Sequence, residues 1–367
     1  MAGLLPGAGD ALALIKSSVR AQVGYTLSAP PARRKLNQNE CPYDLPADLK
    51  REVLEEVAAA AWQRYPAFAP RALIERLAEQ YGWIPDGILV GNGSNELIQA
   101  TLSVVIGPGD VVVAPSPTFS LYRLLTSVNG GRYLPVSLGP DFEYDPEALI
   151  ETAVRERARV VILNSPNNPT GSAVPEGAVA RVLDATSGLV LCDEAYQEFG
   201  GPTALPLLGR SSRLVVLRTF SKAMGMAGLR FGLALAHPAV AAEIAKGKLP
   251  YNVNLVTLAA AAAALRHRSV LAARTRDIIE TRERFLERIR GLPGLKVYPS
   301  AANFVLIRWV GLEVREVFRR LLEEHGILVR DVSGAPGLAG CLRITVGTPE
   351  DMDAVALAIG EIVGEDR

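Results

Sequence analysis

The sequence predicts an α/β protein: a large, mostly parallel sheet covered by helices, followed by a smaller α+β unit. Three observations carry this. From about residue 45 to residue 236, short β-branched runs alternate with amphipathic helical stretches, the pattern of a doubly wound sheet. Turns rich in Gly, Pro, Asn and Ser flank each run. A Gly-Leu-Pro-Gly break at 291–294 then follows a long charged helix and marks a change of architecture.

Taken in order, residues 1–44 form an N-terminal arm that is expected to belong to the small domain. No secretory signal is expected there, because the chain opens without basic residues and Asp10 interrupts the apolar stretch. Strands of the large domain are expected at 88–90, 111–114, 160–163, 189–192, 215–217 and 229–236. A helical stretch covers 238 to about 265, and its alanine-rich part at 258–265 is too short for a membrane span and reads as a buried helix. A charged helix covers roughly 269–290. Beyond the break come a strand at 303–308, a helix at 312–324, strands at 327–330 and 341–346, and a final helix opening at a Thr-Pro-Glu cap at 348–350. The expected division is an arm over 1–44, a large domain over 45–268 and a small domain over 269–367, with a cleft between the units.

Composition limits what such a protein can do. At 367 residues the chain suits two domains, and 49% hydrophobic against 21% charged residues can bury a large core unaided. Lys plus Arg and Asp plus Glu number 39 each, so no net field draws nucleic acid or an anionic membrane. Cys41, Cys192 and Cys341 lie far apart without a CxxC pair, which argues against a zinc site or a disulfide framework and fits a reducing cytoplasm.

Open α/β sheets bind ligands beyond the carboxyl ends of their strands, and chemistry-bearing residues gather there. GNGSNE at 91–96 offers glycines and a helix amino terminus to a phosphate, although such a loop alone is also an ordinary turn. SPNNPTG at 165–171 presents Asn168 on a backbone stiffened by prolines. DEAY at 193–196 places Asp193 at a buried strand end, where either a cation or an N-cap role satisfies it. The segment 219–230, TFSKAMGMAGLR, sets hydroxyls, Lys222 and Arg230 in a loop punctuated by glycine. A lysine desolvated there has the lowered pKa that attack on a carbonyl needs.

These four motifs, in this order and spacing, resemble the fold-type-I pyridoxal-phosphate aminotransferases. LNQNECP at 36–42, RYP at 64–66, PTFSLY at 117–122, SAANF at 300–304, GILVRD at 326–331 and LRITVG at 342–347 resemble the histidinol-phosphate aminotransferase branch, so the similarity spans nearly the whole chain. The resemblance implies pyridoxal 5'-phosphate as cofactor, with the large domain binding it. Lys222 holds it as a Schiff base and moves protons, Asp193 pairs with the ring nitrogen, and Asn168 and Tyr196 meet the ring's 3-oxygen. Phe119 stacks on the ring, while Ser94, Asn95, Thr219, Ser221 and Arg230 gather at the phosphate, a turn role for Thr219 remaining open.

For substrate, the resemblance implies capture of a carboxylate by Arg343 and of a phosphate by Arg330 with Tyr65 of a neighbouring subunit, so a homodimer with shared sites. Tyr25 is the counterpart of a substrate-covering tyrosine, and Asn168 also faces substrate. The reaction implied is amino transfer between L-histidinol phosphate and 2-oxoglutarate, with glutamate as a natural donor. The chain departs from the branch at Cys41 and at 67–69, positions that bear on substrate rather than cofactor. An aromatic aminotransferase and a threonine-phosphate decarboxylase-like enzyme stay open as alternatives. An effector-binding part of a transcription regulator is disfavoured, because only about 40 residues precede the cofactor fold and they hold no basic cluster suited to DNA.

Overall fold

Thirteen strands order the chain in a computed structural model that describes residues 9–22, 24 and 30–365. They are β1 (Arg34–Lys35), β2 (Ile88–Gly91), β3 (Val111–Ser116), β4 (Arg132–Ser137), β5 (Val160–Asn164), β6 (Leu189–Asp193), β7 (Leu214–Thr219), β8 (Gly232–Ala236), β9 (Leu295–Val297), β10 (Phe304–Trp309), β11 (Ile327–Leu328), β12 (Arg330–Asp331) and β13 (Cys341–Thr345). Seven of them build one sheet in the order β2-β8-β7-β6-β5-β3-β4. All neighbours from β7 to β4 are parallel, and β8 runs antiparallel to both β7 and β2. The fold is α/β with a large, mostly parallel mixed sheet.

The central strands carry long apolar runs because helices cover both of their faces. Alternate residues go to opposite layers: Val161, Leu163 and Val190 pack with Leu49, Leu77 and Ala260, whereas Val160, Ile162 and Leu191 pack with Leu97, Ile98 and Leu102. Among the described residues no single helix is long and apolar enough to cross a membrane. The residues at 258–265 are buried for the most part in the helix Leu255–Arg266.

Several elements differ from the sequence expectation. The edge strand β4 was not expected, because Pro135 and its exposed residues mask the strand signal, and an edge tolerates both. The strand expected from 229 begins at Gly232, since Arg230 has φ of 57° and bonds from Leu229 N and Arg230 N to Met226 O keep the preceding residues in a turn. The single helix expected over 238–265 is two helices, Pro238–Ala245 and Leu255–Arg266. Pro250 and Tyr251, at φ of 55°, interrupt it, and Asn254 caps the second helix through its side-chain oxygen, 3.0 Å from Thr257 N.

The second unit holds a four-stranded antiparallel sheet, β12-β13-β10-β9, and a parallel pair, β1 with β11. The strand expected over 327–330 is split in two: Ile327–Leu328 pairs with β1 of the N-terminal arm, and Arg330–Asp331 turns to β13. β1 and β9, too short to announce themselves, were not expected. The last helix, Pro349–Glu365, opens on a reciprocal cap in which Thr348 Oγ1 accepts from Asp351 N and Asp351 Oδ2 accepts from Thr348 N, each at 3.2 Å.

Candidate active site

Register aligns the carboxyl ends of β5, β6 and β7, with Asn164 opposite Asp193 and Asp193 opposite Leu217. There the chain leaves the sheet and a cavity of about 580 Å³ opens, walled by strand ends on one side and by the arm and the β12–β13 segment on the other. Asp193 is 3% exposed. Its Oδ2 accepts from the buried hydroxyl of Tyr122 at 2.7 Å and its Oδ1 from Ala195 N at 3.2 Å. Both donors are neutral, and burial pushes the carboxyl pKa above its ordinary value, against the opposing pull of these two bonds. Asn164 ties the next loop down: its Nδ2 donates to Asp193 O and its Oδ1 accepts from Asn168 N at 3.0 Å.

Behind Asp193 the chain is clamped. Arg218, in β7, meets Glu194 at 2.7 Å and Glu198 at 3.1 Å, and also donates to Gln197 and Thr203. Side chains of Arg218 and Glu194 are 4% and 2% exposed, so this is a buried ion cluster whose charges are met within hydrogen-bond distance.

Lys222 follows β7 after a tight turn in which Thr219 Oγ1 bonds Ser221 Oγ and Phe231 O and accepts from Ser221 N. Its Nζ donates to Gln38 O at 3.0 Å and lies 5.6 Å from the centroid of the Tyr196 ring. Burial, then the positive charge of Arg343, pull its pKa from 10.5 down to about 7; Glu40 opposes and Arg230 assists. At neutral pH a large share of this amine is therefore uncharged.

Beside it lies a cradle for an anion. The helix Ser94–Val105 opens after Gly93, at φ of 83°, with Ser94 and Asn95 on the cavity wall. A Cβ on Gly93 would stand 2.3 Å from the Arg230 guanidinium, and one on Gly232 would stand 2.3 Å from Ser94 N, so glycine permits the close approach on both sides. Arg230 Nη1 donates to Ser221 Oγ at 3.1 Å and to Ala227 O at 3.0 Å, which aims the guanidinium across the helix start.

Arg343 and Arg330 also line the cavity and are direct cross-strand partners in β13 and β12. Like charges so placed repel, and an anion between them relieves the repulsion. Arg343 donates to Asn168 Oδ1 and, at 2.8 Å, to Asn37 O. Phe119 reaches the wall with its ring edge-on to Tyr122, 5.7 Å between centroids. Of the sequence candidates, Tyr65 is not among the residues that line the cavity: it is 80% exposed and stacked on Tyr251 at 4.5 Å. Tyr25 falls outside the described residues.

Residues the sequence reading did not assign include Asn37, Gln38 and Asn39 from the arm, Tyr122, and the 331–338 segment with Val332, Ala335 and Leu338. Asn37, Asn39 and Tyr122 sit inside motifs already singled out, LNQNECP and PTFSLY, which was the signal available. Three demands are made by the assembled set: an anion for Arg230 and the helix start, a cation for the buried carboxylate of Asp193, and a carbonyl for the Lys222 amine. Pyridoxal phosphate meets all three with its phosphate, its protonated ring nitrogen and its aldehyde.

Comparison with known proteins agrees with this chemistry. Residues 34–359 match the family described as aminotransferase class I and II. A histidinol-phosphate aminotransferase of Thermoanaerobacter pseudethanolicus is 36% identical over 350 residues, 95% of this chain and 99% of that protein. One from Thermococcus gammatolerans is 40% identical over 351 residues, 96% of this chain and 98% of the other. Among solved structures, the histidinol-phosphate aminotransferase of Sinorhizobium meliloti in complex with pyridoxal-5'-phosphate superposes with a TM-score of 0.86 at 26% identity, covering 96% of this chain and 98% of its own.

Proposed function

The chain belongs to the class I and II aminotransferases, and on that footing we propose that it is a pyridoxal-phosphate-dependent transaminase moving an amino group between L-histidinol phosphate and 2-oxoglutarate. The observation that carries the reading is the convergence, on one cavity, of a lysine amine near neutrality, a buried carboxylate bonded by neutral donors, and the Arg230 cradle. When bound, pyridoxal phosphate supplies the aldehyde and the electron-accepting ring on which the amino group is exchanged.

The protein's own groups have distinct tasks in this reading. Ser94, Asn95, Ser221 and Arg230 hold the phosphate, and Thr219 shapes the turn that presents Ser221 and Lys222. Asp193 would keep the ring nitrogen protonated, Asn168 and Tyr196 would meet the ring oxygen, and Phe119 would cover a ring face; all four line the cavity. Lys222 Nζ, about half uncharged at neutral pH, would move the proton at the substrate Cα. The guanidiniums of Arg343 and Arg330 bind the two kinds of anion that this substrate pair brings, carboxylate on one and phosphate on the other.

We also propose a cytoplasmic homodimer in which Tyr65 serves the partner's site, the small domain being built from the arm over 1–44 and residues 269–367 around the large domain over 45–268. The exposure of Tyr65 and its stacking on Tyr251 support this. Mixing Lys222→Ala with Tyr65→Ala subunits then restores about a quarter of the activity of the intact enzyme, because about half of the dimers are mixed and each keeps one complete site. Recovery of no activity from the mixture removes the shared-site reading. Substrate identity is tested by following the visible band of the loaded protein while histidinol phosphate, phenylalanine or threonine phosphate is added. Histidinol phosphate should discharge it fastest. Faster discharge by phenylalanine, or release of carbon dioxide from threonine phosphate, replaces the substrate assignment while leaving the cofactor in place.

A further inference from the structure

Asn39 takes no part in the roles described so far, yet it is 1% exposed, lies on the cavity wall and holds a left-handed backbone, φ 54°, of the kind asparagine tolerates. Its hydrogen bonds form a directed chain. Asn39 N donates to Thr345 Oγ1 at 2.9 Å, and a backbone N–H can only donate. The Thr345 hydroxyl donates in turn to Asn39 Oδ1 at 3.3 Å. With Oδ1 fixed as the acceptor, Nδ2 is the atom that faces the Tyr196 hydroxyl, at 3.0 Å, and an amide NH2 can only donate as well. Tyr196 accepts at this contact, so its single proton is directed to another acceptor. Asn303 Nδ2 to Asn39 O, at 3.1 Å, and Thr345 N to Leu36 O, at 2.9 Å, lock the arrangement to the small sheet.

We propose that Asn39 is a positioning residue: by imposing its donor on Tyr196 it commits that hydroxyl to donate into the cavity, toward the ring oxygen of the bound cofactor. The inference rests on the pyridoxal-phosphate reading above. It also links Thr345 of β13, and Asn303 just before β10, to the electronic state of a group held mainly by the large sheet.

The test is a visible-absorbance pH titration of the protein loaded with pyridoxal phosphate. Asn39→Asp keeps the shape and the tolerance for a left-handed backbone but replaces the donor by an acceptor, so Tyr196 turns its proton toward residue 39. The midpoint should rise by about one pH unit, the scale of one hydrogen bond to a charged group. Most of that rise should vanish in the Tyr196→Phe background; what persists there is the direct effect of the added charge among Lys222, Arg343, Arg230, Glu40 and Lys35, which are the same in both backgrounds. Thr345→Val removes the relay without adding charge, should give a smaller rise in the same direction, and decides the matter if Asn39→Asp fails to fold. A midpoint unmoved by Thr345→Val, or a rise equally large with and without the Tyr196 hydroxyl, overturns the assignment. A wild-type protein that develops no visible band overturns the cofactor reading, and this inference with it.

Discussion

The lowered pKa of Lys222 makes a quantitative demand on how fast the apoprotein captures its cofactor. At pH 7 an amine with the ordinary value of 10.5 is neutral in about 1 molecule in 3,000, whereas one with a value of about 7 is neutral in about half, an advantage of about a thousandfold in reactive amine. If capture follows the neutral fraction, its rate rises about tenfold per pH unit well below 7 and flattens above. The assay is the growth of the visible band after mixing apoprotein with a fixed amount of pyridoxal phosphate from about pH 5.5 to about 9.5, repeated with pyridoxal, since a phosphate group itself titrates near pH 6. Arg343, the largest charge contribution after burial, should set part of the midpoint, so Arg343→Leu should move it upward. A rate that still climbs about tenfold per unit above pH 8.5 would refute the argument, because it is what an ordinary solvated lysine gives.

Three further outcomes follow from the same geometry. Tyr122→Phe takes one of two neutral donors from Asp193 and should weaken pyridoxal-phosphate binding roughly 10- to 100-fold by equilibrium dialysis; unchanged affinity would separate Asp193 from the ring nitrogen. The carboxyl pKa of Asp193 is raised on folding, so the folded apoprotein binds this proton more tightly than the unfolded chain, and apoprotein stability falls as pH rises from the ordinary carboxyl value through the raised one. Asp193→Asn should remove that fall, leaving the apoprotein about 1–3 kcal/mol more stable at neutral pH in urea melts, while the same variant binds cofactor worse; equal melts would show that the carboxylate is not strained by burial. Glu194→Gln leaves Arg218 partly uncompensated behind the site and should cost about 3–5 kcal/mol, read as a lower denaturant midpoint at unchanged slope.

Much of the site could be read from the sequence because its parts are local to strand ends. Asp193, Asn168 and Lys222 each follow a buried apolar run within a few residues, and register alone brings the runs together. Asn39 gave no such signal: the partner that directs its amide, Thr345, is 306 residues away, and that pairing exists only once the arm joins β11 and β13. Tyr122 was hidden differently, as an aromatic at helical spacing that reads as core and is core, with only its hydroxyl reaching Asp193. The elements misread were those in which a local rule yields to context. Pro135 is tolerated in β4 because that strand is an edge, and the 246–254 interruption depends on one left-handed tyrosine that helix periodicity cannot show.

The contact of Gly93 with the Arg230 guanidinium, and of Gly232 with the start of the next helix, bears on how the protein can be altered. On that side a side chain at either glycine would run into the Arg230 guanidinium or the Ser94 amide, the groups assigned to the phosphate, so a change there disturbs the hold on the cofactor. The opposite wall is different: Val332 and Ala335 sit on a short segment between β12 and β13 that Gly334 and Gly337 interrupt, and can be exchanged one at a time. Selection for a new amine is therefore expected to accumulate changes at those positions while Gly93 and Gly232 stay fixed.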